Sequence, residues 1–308
     1  MENTRAKTTR NSLILLLTAT IWGMAFVSQS KGMDYMHPFT FNGVRSLIGA
    51  AGILVYILIS RKITGDKAAK LDWKLNVRAG LLCGIFLTIA STLQQFGIKY
   101  TSVGKAGFIT TLYIIFVPMF GIFLKKKVAP VVWAAAGMAA VGMYLLCMTE
   151  SLRLGAGDIM VFLCAIAFAI QIMTVDHYAA RIDGAVVSCI QFTVCGVVCC
   201  IGALIWGQPT FGQIQEGLGA LLYAGVLSCG VGYTLQIVGQ KGLNPTVAAL
   251  IMSLESVIAT ISGWIAYKIG FLSTDQTLTP RQIAGCVIVF AAVILVQLPP
   301  EWFRFGKK

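Results

Sequence analysis

Charged residues are scarce in this chain of 308 residues, where Asp, Glu, Lys and Arg make up only 12% of the total. A soluble globular protein carries about 25% of such residues and about 45–50% apolar ones, whereas the apolar share here is 57%. With a mean hydropathy of +0.81, this composition excludes ordinary soluble folds, disordered tails and disulfide-rich secreted scaffolds. The sequence therefore predicts an integral membrane protein.

Histidine is almost absent, and the cysteines show no metal-binding pattern. The two histidines, His37 and His177, do not pair with acidic residues at metal-ligand spacing. The nine cysteines lie inside apolar runs without a CxxC pair, which is typical of buried, unreactive thiols. We therefore expect neither a metal site nor a cofactor.

Ten apolar runs are long enough to cross a bilayer as helices, since about 20 mostly apolar residues span a hydrocarbon core of about 30 Å. These runs cover residues 12–30, 38–60, 79–98, 106–124, 130–148, 157–175, 184–206, 217–239, 246–267 and 282–298. The first run exceeds the apolar region of a secretory signal, which has about 7–15 residues, so we expect it to be retained as a span. The connecting loops are short, and the sequence thus predicts an all-α integral membrane fold with ten transmembrane helices.

The basic residues are distributed unevenly between the two sides of the predicted bundle. If the N-terminus is cytoplasmic, 17 of the 24 Lys and Arg residues fall in cytoplasmic segments, six fall on the other side, and Arg45 lies inside a span. This bias follows the positive-inside rule and predicts a multi-pass protein of the cytoplasmic (inner) cell membrane with both termini in the cytoplasm. Because topology accounts for the formal net charge of +12, we expect no nucleic acid as a partner.

The two halves of the chain resemble each other. At an offset of 142 residues, Ala106, Ile109, Thr111, Leu112 and Gly121 align with Ala248, Ile251, Ser253, Leu254 and Gly263. Halving the chain after the fifth span gives two sets of five, and because five is odd, the second set must cross the membrane in the opposite sense. Residues 1–150 and 151–308 are therefore predicted to be two inverted five-helix repeats of one membrane domain.

Several short segments in order along the chain resemble one family. They read LTATIWGMAFV at 17–27, FNGVR at 41–45, QFGIKYTS at 95–102, KAGFIT at 105–110 and AALIMSLE at 248–255. Together they resemble the EamA-type permeases of the drug/metabolite transporter superfamily, over essentially the whole chain. The resemblance implies ten helices in two inverted halves, a central cavity and no ATP-hydrolysing domain. Many relatives have Pro directly after the Leu-Glu pair, whereas Ser256 stands here, so the sequence lacks the proline that would break this helix.

Glu255 is the acidic residue near the middle of a span. It lies ten residues beyond Pro245, or about 15 Å deep at about 1.5 Å per residue. An ionised carboxylate is costly at that depth, which suits a group that binds and releases a proton or contacts a cationic substrate. Its repeat partner Tyr113 lies at a similar depth, so we expect the two to face one cavity. The alternative is a protonated Glu255 that bonds a neighbouring helix and has no role in transport.

Arg45 lies about seven residues beyond Pro38 and so about 10 Å inside the second span. A guanidinium group there can bind a carboxylate or phosphate through two hydrogen bonds. It can also extend towards the membrane surface or bond helix-end carbonyls, which is a structural role. Asn42, one helical turn away, is a candidate for the same wall.

Aromatic and amide side chains inside spans complete the candidates. Rings there can stack on a flat ligand or hold a cation, although such rings more often only pack. Amides either bond between helices or line a water-filled cavity, and six glutamines lie within or at the ends of spans: Gln94, Gln95, Gln171, Gln191, Gln236 and Gln240. The predicted substrate-binding set is Glu255, Tyr113, Arg45, Trp22, Asn42, Gln95, Gln191, Gln236, Tyr233 and Trp264.

These features predict a secondary active transporter. It would move a small metabolite, an amino acid or a related polar or amphipathic solute, by proton-linked alternating access, with membrane lipid as its surroundings. The alternative is a carrier of organic cations or flat aromatic compounds, choline-, purine- or drug-like, that uses Glu255 and the tryptophans. An intramembrane enzyme would need a constellation such as paired carboxylates at membrane depth, and Glu255 stands alone, so we do not expect an enzyme. The sequence leaves the oligomeric state open.

Overall fold

The protein is an assembly of helices, described here from a computed structural model over residues 2–64, 72–124, 130–147, 155–273 and 275–297. No strand occurs in these ranges. The helices are α1 (Glu2–Gly32), α2 (Pro38–Thr64), α3 (Trp73–Ile98), α4 (Val103–Thr111), α5 (Tyr113–Phe123), α6 (Pro130–Cys147), α7 (Ala156–Tyr178), α8 (Gly184–Gly202), α9 (Phe211–Glu216), α10 (Leu218–Leu222), α11 (Tyr233–Gln240), α12 (Pro245–Met252), α13 (Leu254–Lys268) and α14 (Pro280–Gln297). Two π-helical segments, Ala203–Gly207 and Tyr223–Gly232, extend α8 and join α10 to α11.

Eight stretches of the described chain are long and apolar enough to cross a membrane. They are Lys7–Gly32, Pro38–Ile63, Trp73–Ile98, Val103–Phe123, Ala156–Tyr178, Gly184–Gly207, Leu218–Gln240 and Pro245–Lys268. The predicted membrane fold is thereby confirmed. The two remaining predicted spans correspond to shorter apolar helices, Pro130–Gly142 and Pro280–Leu295, so the count of ten spans stays a prediction.

The tightest packing joins helices that are far apart in sequence: α2 lies on α8, α3 on α7, and α6 on α14. Lipid tails are as apolar as leucine, so helices in a membrane associate through close packing between small residues. Gly97 of α3 and Gly157 of α7 show this directly, because a Cβ atom on either would lie 2.8 or 2.9 Å from the carbonyl oxygen of the other. Glycine at both positions therefore lets the two backbones meet.

Polar contacts show which helix termini lie together at each end of the bundle. At one end, Lys105 Nζ of α4 lies 2.6 Å from Asp158 Oδ2 of α7. At the opposite end, Asn11 Nδ2 of α1 donates to the Lys241 carbonyl at 2.7 Å, and Lys241 Nζ donates to the Ile182 carbonyl at 3.2 Å. The first end therefore holds the starts of α4 and α7, and the second holds the early part of α1 together with the α7–α8 and α11–α12 turns.

Two spans are each interrupted by a single residue, and the two positions correspond within one residue at the repeat offset. Leu112 separates α4 from α5, and Ser253 separates α12 from α13. At the second interruption, Ser253 Oγ donates to the Leu250 carbonyl at 2.7 Å, and Ser256 Oγ donates to the Ser253 carbonyl at 2.8 Å. The helix thus breaks without a proline, because serine hydroxyl groups bond carbonyls near the interruption.

The Lys105–Asp158 ion pair is expected to contribute measurably to stability. Asp158 is 4% exposed and also accepts a hydrogen bond from Thr101 Oγ1 at 3.0 Å. In Asp158→Asn, the Lys105 ammonium group loses its charged partner. We expect the free energy of unfolding to fall by about 1–3 kcal/mol, measured as a lower Tm of the purified protein.

A matched control for this substitution is Asp34→Asn, which breaks the more exposed Lys31–Asp34 pair of 3.0 Å. An exposed pair contributes about 0–1 kcal/mol, so this variant should leave the Tm nearly unchanged. Equal effects of Asp34→Asn and Asp158→Asn would contradict the assignment of a structural role to the buried pair.

Candidate substrate-binding cavity

A central cavity lies among helices from both halves of the chain. The polar side chains that line it are Gln29, Arg45, Ser46, Ser91, Gln94, Thr110, Tyr113, Gln171, Ser228, Tyr233, Gln236 and Glu255. The cavity is narrow, with room for roughly a few water molecules in this conformation. The molecule therefore holds a polar, nearly closed chamber inside an apolar bundle.

Glu255 and Tyr113 meet across this cavity. The Tyr113 hydroxyl donates to Glu255 Oε1 at 3.0 Å, and the two residues are 2% and 4% exposed respectively. Both follow a helix interruption, since Tyr113 begins α5 and Glu255 is the second residue of α13. A helix N-terminus has free N–H groups and a positive dipole end, which favour a carboxylate, whereas burial favours the neutral acid. These opposing effects suit a carboxyl group that exchanges a proton.

Arg45 is a buried cation on the same cavity wall. It is 5% exposed, and its guanidinium carbon lies 5.4 Å from the centre of the Phe41 ring. Neither of the two ion pairs among the described residues includes Arg45, and its Nε atom has no hydrogen-bond partner there. A buried guanidinium without a carboxylate partner is costly, so an anionic group in the cavity would stabilise it.

Aromatic rings packed against one another form another part of the wall. The Trp22 and Tyr233 ring centres lie 4.5 Å apart with planes tilted by 51°, and Phe192 meets Tyr233 edge-on at 5.0 Å. Trp22 Nε1 donates to the Ser228 carbonyl at 3.4 Å. These contacts fix the rings against one another, and the cavity borders Trp22, Phe192 and Tyr233.

The structure brings six of the ten predicted site residues to the cavity: Glu255, Tyr113, Arg45, Trp22, Tyr233 and Gln236. The other four lie elsewhere. Asn42 Nδ2 donates to the Ser91 carbonyl at 2.9 Å, and Gln95 Nε2 donates to the Gln29 carbonyl at 3.1 Å. Gln191 is completely buried on α8, and Trp264 is half-buried on α13.

The predicted substrate-binding set omits Gln94 and Gln171, which the sequence indicates only as amides inside spans, and sequence reasoning missed Gln29, Ser91 and Thr110 altogether. Leu87, Ser91 and Gln94 recur at helical spacing along one face of α3, and Thr110 precedes Tyr113 by about one turn. Gln94 Nε2 donates to Thr110 Oγ1 at 3.1 Å. Helical periodicity would have identified these residues from their neighbours on the same helix face. That step requires knowing beforehand that one residue of the face borders the cavity.

No cluster of three or more His, Cys, Asp or Glu side chains suited to a metal ion occurs in the part of the chain that the structure describes. The chemistry of the cavity therefore comes from one cation, one carboxyl group, amides, hydroxyls and aromatic rings. Membrane-length helices around such a chamber define a multi-pass membrane protein with a polar interior.

Comparison with known proteins assigns the chain to a family of transporters. Residues 10–148 and residues 155–298 each match the EamA-like transporter family. Because the two matches cover most of the sequence, the chain belongs to this family, and the resemblance to EamA-type permeases is confirmed. Family membership indicates membrane transport rather than catalysis.

Individual relatives agree with this assignment. A protein named uncharacterized transporter from Archaeoglobus fulgidus is 27% identical over 290 residues, which are 92% of this chain and 84% of that protein. The uncharacterized transporter YwfM of Bacillus subtilis is 24% identical over 295 residues, 94% of each chain. One solved crystal structure superposes with a TM-score of 0.74 at 16% identity, over 96% of this chain and 99% of its own. That likeness concerns the fold alone.

Proposed function

We propose that this protein is a secondary active transporter for zwitterionic metabolites of the amino-acid class. The observation that carries the proposal is the presence of Arg45 and Glu255 in one cavity, a buried guanidinium without an ion-pair partner among the described residues and a buried carboxyl group. The carboxylate of an amino acid would bind Arg45 through two hydrogen bonds. Its ammonium group would lie near Glu255, where it would replace the proton that the carboxyl group otherwise carries.

We propose alternating access between two inverted five-helix repeats, residues 1–150 and 151–308, with ten spans in all. Three observations support it: two successive family matches, the corresponding interruptions at Leu112 and Ser253, and the packing of α2 on α8 and of α6 on α14. In such an arrangement, one set of helices rocks against the other about a central site.

The same proposal places both termini in the cytoplasm and the protein in the cytoplasmic membrane. Support comes from basic residues that lie near the end of the bundle where α1 begins: Arg10, Arg61, Lys74, Arg78, Arg181 and Lys241. The sequence-based count of basic residues on each side also includes residues that lie outside the described ones: Lys67, Lys70, Lys125, Lys126, Lys127, Arg153, Arg304, Lys307 and Lys308.

A second candidate function is the transport of organic cations or flat aromatic compounds. The Trp22–Tyr233 pair on the cavity wall favours it, because ring faces attract cations. The fixed positive charge of Arg45 in the same narrow cavity opposes it, since like charges repel strongly where water is excluded. We therefore rank it below the transport of zwitterions.

Substitution of Arg45 tests the proposal. In proteoliposomes, wild-type protein should exchange labelled amino acids, with weak or no exchange of choline or adenine. Arg45→Gln removes a charged hydrogen-bond partner, an interaction of about 1.5–3 kcal/mol, so the apparent affinity should fall by about 10- to 100-fold. Arg281→Gln is the matched control, because this arginine lies over the Tyr144 ring, 5.3 Å from its centre, and does not border the cavity.

Unchanged amino-acid affinity in Arg45→Gln would contradict the proposed role. Exchange of choline or adenine by the wild type without any amino-acid exchange would favour the second candidate function instead. Size-exclusion profiles and Tm values of both arginine variants show whether the protein remains folded.

A further inference from the structure

Two amide side chains that border the cavity each have a hydrogen-bonding group without a partner among the described residues. Gln236 Nε2 donates to Gln171 Oε1 at 3.2 Å, and the two residues are 1% and 0% exposed. Gln171 Nε2 and Gln236 Oε1 have no partner among the described residues, and both side chains border the cavity. Buried amides normally satisfy their hydrogen bonds, so this pair indicates a partner that the described residues do not supply.

The direction of the hydrogen bond within the pair does not affect this conclusion. The nitrogen and oxygen of a glutamine amide are assigned from their contacts. If both amide groups were rotated by 180°, Gln171 Nε2 would donate to Gln236 Oε1. The atoms without a partner would then be Gln171 Oε1 and Gln236 Nε2. In either case one N–H donor and one carbonyl acceptor of the pair remain without a partner among the described residues.

Position and mutual contact distinguish this pair from other buried amides. Gln95, Gln191 and Gln240 also have an amide atom without a partner among the described residues, but none of the three borders the cavity. Gln29 borders the cavity and has an Oε1 atom without a partner there, but Gln171 and Gln236 bond to each other and together supply both a donor and an acceptor. Because these atoms are buried in this conformation, a ligand would contact them once the cavity widens.

The amide pair is separated from Glu255 along the axis of the bundle. Gln171 is seven residues before the end of α7 at Tyr178, which places it about 10 Å from that end of the bundle. Glu255 is about 15 Å from the same end by its distance from Pro245. The amide pair is thus displaced from Glu255 by about 5 Å along the bundle, roughly the length of one amino-acid side chain.

We propose that Gln171 and Gln236 bind the side-chain carboxamide of the substrate, so that the substrate class is amino acids of the glutamine and asparagine type. This inference rests on the proposed function, in which Arg45 and Glu255 bind the charged head. A primary carboxamide has one carbonyl acceptor and one N–H₂ donor side by side, which complements the open donor and acceptor. An apolar side chain would leave both groups unpaired, and sites of this kind discriminate strongly against such analogues.

Competition transport in proteoliposomes tests the inference with labelled L-glutamine and unlabelled L-leucine and L-methionine. We expect the wild type to prefer glutamine over leucine by at least about tenfold. Gln171→Leu and Gln236→Leu should each lower glutamine affinity about tenfold or more while leucine affinity stays equal or rises. Retained leucine transport shows that the variants are folded.

Gln240→Leu is the matched control, because Gln240 lies about one turn beyond Gln236 on α11 and donates to the Ile172 carbonyl at 3.4 Å, away from the cavity. It should keep the preference for glutamine. Equal transport of glutamine and leucine by the wild type, or an unchanged preference in Gln171→Leu and Gln236→Leu, would overturn the inference and leave the proposed function standing. Failure to transport any amino acid would overturn both.

Discussion

Glu255→Gln is expected to abolish the response of transport to a pH gradient while leaving folded protein in the membrane. Glutamine has nearly the same shape and can still accept the hydrogen bond from the Tyr113 hydroxyl, which lies 3.0 Å from Glu255 Oε1. It cannot bind or release a proton, nor can it balance the charge of an ammonium group. Proton-driven uptake in proteoliposomes should therefore fall by about 100-fold, as for a lost charged contact of about 3 kcal/mol.

Two further variants make this experiment specific. Tyr113→Phe removes the hydroxyl that donates to the carboxylate, and it should lower uptake by about tenfold, since a hydrogen bond to a charged group contributes about 1.5 kcal/mol or more. Glu216→Gln changes an exposed carboxylate at the end of α9 and should have no effect. Wild-type pH dependence in Glu255→Gln would refute the role of this residue in coupling.

Gly157→Leu is expected to prevent normal packing of α7 on α3. A Cβ atom at this position would lie 2.9 Å from both the Gly97 carbonyl oxygen and Tyr100 Cβ, and a leucine side chain adds three more carbon atoms. Overpacking a core costs about 1–3 kcal/mol or more, and here the obstacle is backbone that cannot rotate away. We expect little monodisperse protein in detergent, or a Tm lowered by at least several degrees.

Gly137→Leu provides the matched control for this substitution. Gly137 lies within α6, and no atom lies within 4 Å of the position that its Cβ would occupy. The same increase in side-chain volume should therefore leave yield and Tm nearly unchanged. If Gly157→Leu behaved like Gly137→Leu, the close contact between α3 and α7 would not be a determinant of stability.

The membrane fold and the depth of the charged groups follow well from the sequence. Apolar run length locates the spans, because the thickness of the bilayer sets the length of a crossing helix. The repeat offset pairs Tyr113 with Glu255, and the structure brings these two residues into hydrogen-bonding contact. Counting residues from a span end gives depth, since the rise per residue of a helix is nearly constant.

The side of each helix that faces the cavity could not be predicted in the same way. Asn42, Gln95, Gln191 and Trp264 lie inside spans but do not border the cavity, because rotation about the helix axis depends on packing rather than on depth. Irregular segments add to the difficulty. The π-helical segment Tyr223–Gly232 precedes α11, and a π turn changes the register of every later side chain relative to an ideal helix.

The pairing of early helices with late ones has a consequence for biosynthesis. α2 packs on α8, and a Cβ atom at Gly43 would lie 2.7 Å from Cys200 Sγ. At about 5–20 residues per second, a ribosome needs on the order of 10 s to make the chain between two such partners. During that interval α2 and α3 sit in the bilayer without the helices that cover their glycine-rich faces. Folding of the bundle must therefore await the second half of translation, and lipid or insertion machinery must occupy those faces until then.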